Sequence, residues 1–197
     1  MYIEAIIIGL IIGKIRKGRL ENFANVYFKG LIFIIFSLVV EISPIILNKF
    51  HVLSEYYYLV PFISVILMII GILLNIKKSG MKFILFGAIL NIVIMILNGF
   101  YMPISYKALE IAGKKSLISY FDKEIIMGFI NADQLSGLKF FFSKFIPIPA
   151  FYPLAKVMSV GDILITIGII IFVQASMMKS SFGLNNKMIR FSYNSRL

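Results

Sequence analysis

Residues 81–101 read MKFILFGAILNIVIMILNGFY. After Lys82 the run holds no formal charge, and Asn91 and Asn98 are its most polar side chains. A bilayer core of about 30 Å needs roughly 20 helical residues at about 1.5 Å each. A run of this length and polarity predicts a membrane-crossing helix. Comparable runs occupy 31–47, 59–76 and 163–178, and Glu41 is the only formal charge within these three and 83–101. The chain is 60% hydrophobic, with a mean hydropathy of +0.95 over 197 residues. A water-soluble core of this size would not use four such stretches, so the expectation is an integral membrane protein.

The first 13 residues, MYIEAIIIGLIIG, are apolar apart from Glu4. They have the look of a signal-peptide core, but Lys14, Arg16, Lys17 and Arg19 follow the run instead of preceding it. It reads as a short, uncleaved first helix with its N-terminus outside. At this length it must thin the bilayer, continue helically into the basic segment, or stop partway.

Charge sets the orientation. With five crossings, N-terminus outside and C-terminus inside, the inner segments carry twelve basic residues against Glu21 alone. They are Lys14, Arg16, Lys17, Arg19 and Lys29, then Lys77, Lys78 and Lys82, then Lys179, Lys187, Arg190 and Arg196. The outer segments carry eight lysines against six acids. This is the positive-inside pattern. It assigns the net charge of +11 to topology and to anionic lipids at the cytoplasmic face, not to nucleic acid.

The spans fall at about 2–13, 30–47, 57–76, 82–101 and 162–178, in a single domain covering 1–197. The expected fold is therefore an all-α bundle of about five transmembrane helices. An amphipathic extracytoplasmic segment, 102–160, separates the last two, and 179–197 form a cytoplasmic tail. Within that segment two surface helices are expected, around 105–130 and 132–145, with Asn131 as N-cap of the second. Pro147, Pro149 and Pro153 rule out a regular helix there and argue for an apolar loop at the bundle mouth. Gly80 suits a C-cap for the third helix. Tyr56, Tyr57, Tyr58, Phe100 and Tyr101 stand where an interfacial aromatic belt is needed, since there is no Trp.

Composition excludes several chemistries. There is no cysteine, hence no disulfide, thiolate metal site or cysteine nucleophile. His51 is the only histidine and lies in an outer loop, away from any hydroxyl at membrane depth. No aspartate cluster for a divalent metal and no phosphate-binding glycine loop occurs. No metal or cofactor is expected; these absences lean against an enzyme but leave enzymatic activity open.

The polar residues inside the spans gather in the outer half. Glu41 lies six residues below the outer end of its helix, roughly 9 Å down at about 1.5 Å per residue. Asn98 is one turn below the outer end of the fourth helix, with Asn91 seven residues deeper on the same face. Glu4 and Asp162 stand at the outer mouths of the first and last helices, with Thr166 one turn below Asp162. Pro44 cannot donate to the Val40 carbonyl, which adds an acceptor beside Glu41. A carboxylate in hydrocarbon costs several kcal/mol unless paired or neutralised. These six residues, Glu4, Glu41, Asn91, Asn98, Asp162 and Thr166, are the candidate outward-facing polar pocket. If Glu41 lines it, Glu41→Gln should cut binding while folding survives.

Three segments carry a resemblance. They are Gly18-Arg19-Leu20 with Asn22-Phe23-Ala24-Asn25, then Asn98-Gly99-Phe100-Tyr101-Met102-Pro103-Ile104-Ser105, then Ser159-Val160-Gly161-Asp162-Ile163-Leu164. Their order and their places at helix ends resemble a bacterial family of small integral membrane proteins known only as a domain of unknown function (family 5317). The resemblance implies the multi-pass topology and no catalytic residue. Two function classes are expected. One is a transport or solute/cation-binding component of the bacterial plasma membrane. The other is a non-catalytic interaction or assembly partner of a larger envelope complex, with a membrane-protein partner.

Overall fold

Tyr2–Ile15 form the first helix of the computed structural model, α1. Residues 2–47, 59–122 and 128–178 are described, except for the side chains of 41–47, Pro61, Tyr120 and Asp122. His51, Tyr56, Tyr57, Tyr58 and the tail 179–197 lie outside them, as does the side chain of Glu41. The short α2 spans Leu20–Ala24, α3 Leu31–Leu47, α4 Val60–Leu73 and α5 Met81–Ile96. After a mixed segment, Val160–Met178 forms α9.

The chain is mostly helical, and among the described residues α9 alone is long and apolar enough to cross a membrane. The other four long helices have 14, 17, 14 and 16 residues. Ends, not interiors, differ from the expectation. Gly99 and Phe100 take left-handed φ of 65° and 72°, and the Phe100 N–H bonds the Met95 carbonyl at 2.8 Å. That wrapped end stops α5 at Ile96 instead of Tyr101. Gly80 is the N-cap of α5, not the C-cap of α4, with φ of 83°. A Cβ there would sit 2.1 Å from the Gly168 carbonyl oxygen, so glycine answers both backbone and space.

The helices meet through small residues. α9 packs between α5 and α1, α4 packs on α5, and α3 on α4. Gly87 lies against Gly161, and Gly80 against Gly168, each with room for no side chain. On α1, Ala5, Gly9 and Gly13 are buried one turn apart, and Gly9 and Gly13 face Val173 and Met177. Backbones come close wherever side chains are this small, and the gain is dispersion contact. The pairing 80 with 168 and 87 with 161 makes α5 antiparallel to α9. The pairing 9 with 173 and 13 with 177 makes α1 parallel to it. Ser64 donates to the Ser37 carbonyl, and Gly71 meets Ile34, so α3 and α4 are antiparallel.

The segment after α5 is a small α/β cap, not two surface helices. Its strands are β1 (Met102–Ile104), β2 (Phe129–Asn131), β3 (Ile146–Ile148) and β4 (Lys156–Met158). Between them lie α6 (Tyr106–Ile111), α7 (Lys115–Asp122) and α8 (Gly137–Phe141). β1 and β2 pair in parallel, Met102 opposite Phe129, and β3 and β4 antiparallel, Ile146 opposite Met158. The Ile146–Ile148 stretch is thus an edge strand that tolerates Pro147. Asn131 does cap, but it caps the single 3₁₀ turn Ala132–Gln134, accepting from the Asp133 N–H at 2.9 Å. Ile104, Ala108, Leu109, Ala112 and Val157 form a core of the cap's own.

Candidate functional site

α9 starts with a reciprocal cap. The Ser159 hydroxyl accepts the Asp162 N–H at 2.9 Å, and the Asp162 carboxylate accepts the Ser159 N–H at 3.2 Å. The spacing Ser-x-x-Asp satisfies two of the helix's orphan donors and sets a carboxylate at the positive end of its dipole. Asp162 is nevertheless 5% exposed, and a buried carboxylate needs more than a cap.

Two further groups supply it. Asn91 of α5 donates its amide to Asp162 Oδ1 at 3.0 Å and accepts the Ser159 hydroxyl at 2.7 Å. Lys144, between α8 and β3, brings its ammonium to 3.3 Å from Asp162 Oδ2. The close approach depends on Gly161, whose added Cβ would fall 2.3 Å from Asn91 Oδ1 and 2.6 Å from the Gly87 carbonyl oxygen. Cap, bundle and helix end therefore converge on one charged joint.

Beside the joint lies a chamber of about 90 Å³, walled by Asp162, Asn91, Lys144, Ser64, Tyr2, Val65, Met68, Met95, Met102, Phe129 and Ile165. At about 30 Å³ per water it has room for about three. Two larger hollows, about 370 and 460 Å³, are open surface grooves and touch none of these charged groups.

The six expected pocket residues separate. Asn91 and Asp162 meet directly. Thr166 donates to the Asp162 carbonyl at 2.8 Å, a bond within its own helix. Asn98 does the same to Ile94 at 2.7 Å and does not reach the chamber. Glu4 is at the same end of the bundle but pairs with Lys156 of β4. Lys144, Ser159, Ser64 and Tyr2 also belong to the site and are not among the six. Ser159 was findable, since Ser-x-x-Asp before an apolar run is a capping signature. Among the described residues no group of three His, Asp or Glu side chains could hold a metal.

At the other end of α9, the Met177 carbonyl accepts the Arg19 N–H at 3.0 Å and the Asn22 side-chain amide at 2.9 Å. Nearby Asn75, 3% exposed, donates to the Lys29 carbonyl at 2.7 Å and accepts the Lys29 N–H at 3.1 Å. The three segments noted in the sequence thus close the ends of α1, α5 and α9.

Fold and site together define a mostly helical protein whose α9 is clasped at both ends and whose buried Asn–Asp–Lys joint lies under an α/β cap. Residues 25–174 match the family described as a family of unknown function, DUF5317, and the chain belongs to that family. No curated protein and no solved structure matches it.

Proposed function

We propose that the chain is a multi-pass protein of a bacterial plasma membrane that holds an ion or a very small polar solute in the chamber beside Asp162. Five crossings are assigned to α1, α3, α4, α5 and α9, with the cap outside. The outward side chains support this: Ile7 and Ile11 on α1, Phe36 and Val39 on α3, and Phe83, Phe86 and Val93 on α5 are all exposed. A water-facing surface does not carry apolar area of that extent. The shorter helices reach about 21–26 Å at about 1.5 Å per residue, which a locally thinned bilayer accommodates. The helices alternate in direction, and Lys14, Arg16, Lys17, Arg19, Lys77, Lys78 and Lys82 collect at the end opposite the cap, in keeping with the positive-inside rule.

The single observation that carries the binding reading is Lys144. A flexible ammonium, 26% exposed, neutralises a buried carboxylate at the wall of a small chamber. An entering cation or proton competes with Lys144 for Asp162 Oδ2, while an anion would take the ammonium itself. The test is thermal unfolding of the purified chain in nanodiscs against a panel of monovalent ions and small polar solutes. Lys144→Met should make stability depend more steeply on monovalent cations than in wild type. If both proteins are indifferent to every ion and solute, the chamber binds nothing. The second reading, an assembly partner in the cell envelope, draws on the cap's exposed Leu138, Phe141, Phe151 and Leu154. A stable protein partner recovered from gently solubilised membranes, together with that indifference, would favour it.

A further inference from the structure

We infer that the basic end of α9 binds one anionic phospholipid, with its phosphate at Arg16 and an acyl chain along the uncovered face of the helix. The inference rests on the membrane reading above and concerns the end opposite the chamber. α9 meets α5 through Gly161, Ile165 and Gly168, and α1 through Val173 and Met177. Residues advance by 100° around a helix at 3.6 per turn. Ile167, Ile171, Gln174 and Met178 therefore share a third face, and Ile167 and Met178 are 40% and 45% exposed. At the basic end of that face is a hollow of about 460 Å³ lined by Arg16, Ser79, Ile171, Gln174, Ala175 and Met178.

Its polar groups are unspent. Gln174 is the one amide on an otherwise apolar face, is half-buried, and has no side-chain hydrogen bond among the described residues. Arg16 has no ion pair among the described residues, whereas Arg19 is engaged by Glu21 at 3.0 Å. No carboxylate lines the hollow. A guanidinium presents parallel N–H donors that match two phosphate oxygens, and the Gln174 amide and Ser79 hydroxyl add neutral donors. Toward the middle of the helix, Ile171 and Ile167 continue the floor as hydrocarbon. A charged head over an apolar track is the shape of a phospholipid, and the surrounding lysines favour a negative headgroup.

The test is native mass spectrometry of the full chain in detergent, titrated with phosphatidylglycerol or phosphatidylcholine. Wild type should hold one phosphatidylglycerol at about tenfold lower concentration than phosphatidylcholine, the scale of one charge-assisted contact. Arg16→Gln should bring the two lipids close to parity, and Gln174→Leu should cut the preference by about threefold. Lys82→Gln removes the same charge at the same end without lining the hollow, and should keep the preference. Thermal unfolding of each variant verifies the fold. Parity in wild type, or an equal loss in Lys82→Gln, overturns the site. Displacement of the lipid by millimolar inorganic phosphate would make it a free-phosphate site and overturn the lipid assignment. A chain extracted from membranes by alkaline washing would instead defeat the membrane reading itself, and this inference with it.

Discussion

The two ends of α9 are closed by similar means and opposite chemistry. At the cap end, Asn91 reaches from α5 to Asp162, and at the basic end, Asn22 reaches from α2 to the Met177 carbonyl. Asn22 satisfies a terminal backbone carbonyl directly, whereas Asn91 braces the two side chains, Ser159 and Asp162, that cap the other end. The basic end is closed by neutral amides, Asn22 and the Arg19 N–H, and needs no counter-ion. The cap end contains a formal charge, so a third element, Lys144, must come in from the cap. A neutral joint is complete in itself. A charged joint depends on a long side chain that something else can replace, and the chamber lies beside that one.

Substitutions at the two joints should therefore rank differently. The largest effect is expected for Lys144→Met, which strands a buried carboxylate at a cost of about 3 kcal/mol, relieved in part by a second change, Asp162→Asn. Thermal unfolding of the single and double variants measures both. Equal losses in the two would mean that the ammonium matters by packing and not by charge. Next comes Gly161→Ala, expected to cost about 2–3 kcal/mol because its new methyl meets the Gly87 carbonyl, which cannot step aside. Gly13→Ala on α1 should cost about 1–2 kcal/mol, less than Gly161→Ala, since its new methyl meets side-chain atoms of the buried Met177 and no backbone. At the neutral joint, Asn22→Ala should cost about 1 kcal/mol and, unlike Lys144→Met, be insensitive to salt. The smallest effect belongs to Thr166→Val, within about 0.5 kcal/mol, because its hydroxyl serves only its own helix. A larger loss there would place Thr166 in the chamber after all.

Sequence polarity against an apolar background found Asn91 and Asp162, because few reasons exist for an amide or a carboxylate in such runs. It could not separate them from Asn98 and Thr166, which look the same in sequence yet bond the carbonyl four residues back. Lys144 was hidden by context: in an amphipathic stretch a lysine reads as solvated, and only the folded cap turns it inward. The cap's strands are three residues each, too short for an alternating pattern, and two of them, β1 and β3, contain a proline. The helix positions were legible from hydropathy, while their ends depended on left-handed residues such as Phe100, which no propensity favours. The glycine contacts that pull α1 and α5 onto α9 follow from spacing, Gly80 and Gly87 against Gly161 and Gly168, but pairing them requires knowing which helices are neighbours.

α1 and α9 lie side by side, yet about 145 residues separate Ile15 from Val160. At about 5–20 residues per second, a ribosome takes on the order of ten seconds to cover that distance. Through that interval the Gly9 and Gly13 face of α1 stands empty, and Asn91, once made, has no carboxylate to meet. The bundle is thus completed by a latecomer that must enter a slot already framed on both flanks, and any helper in its biogenesis would be needed during that wait.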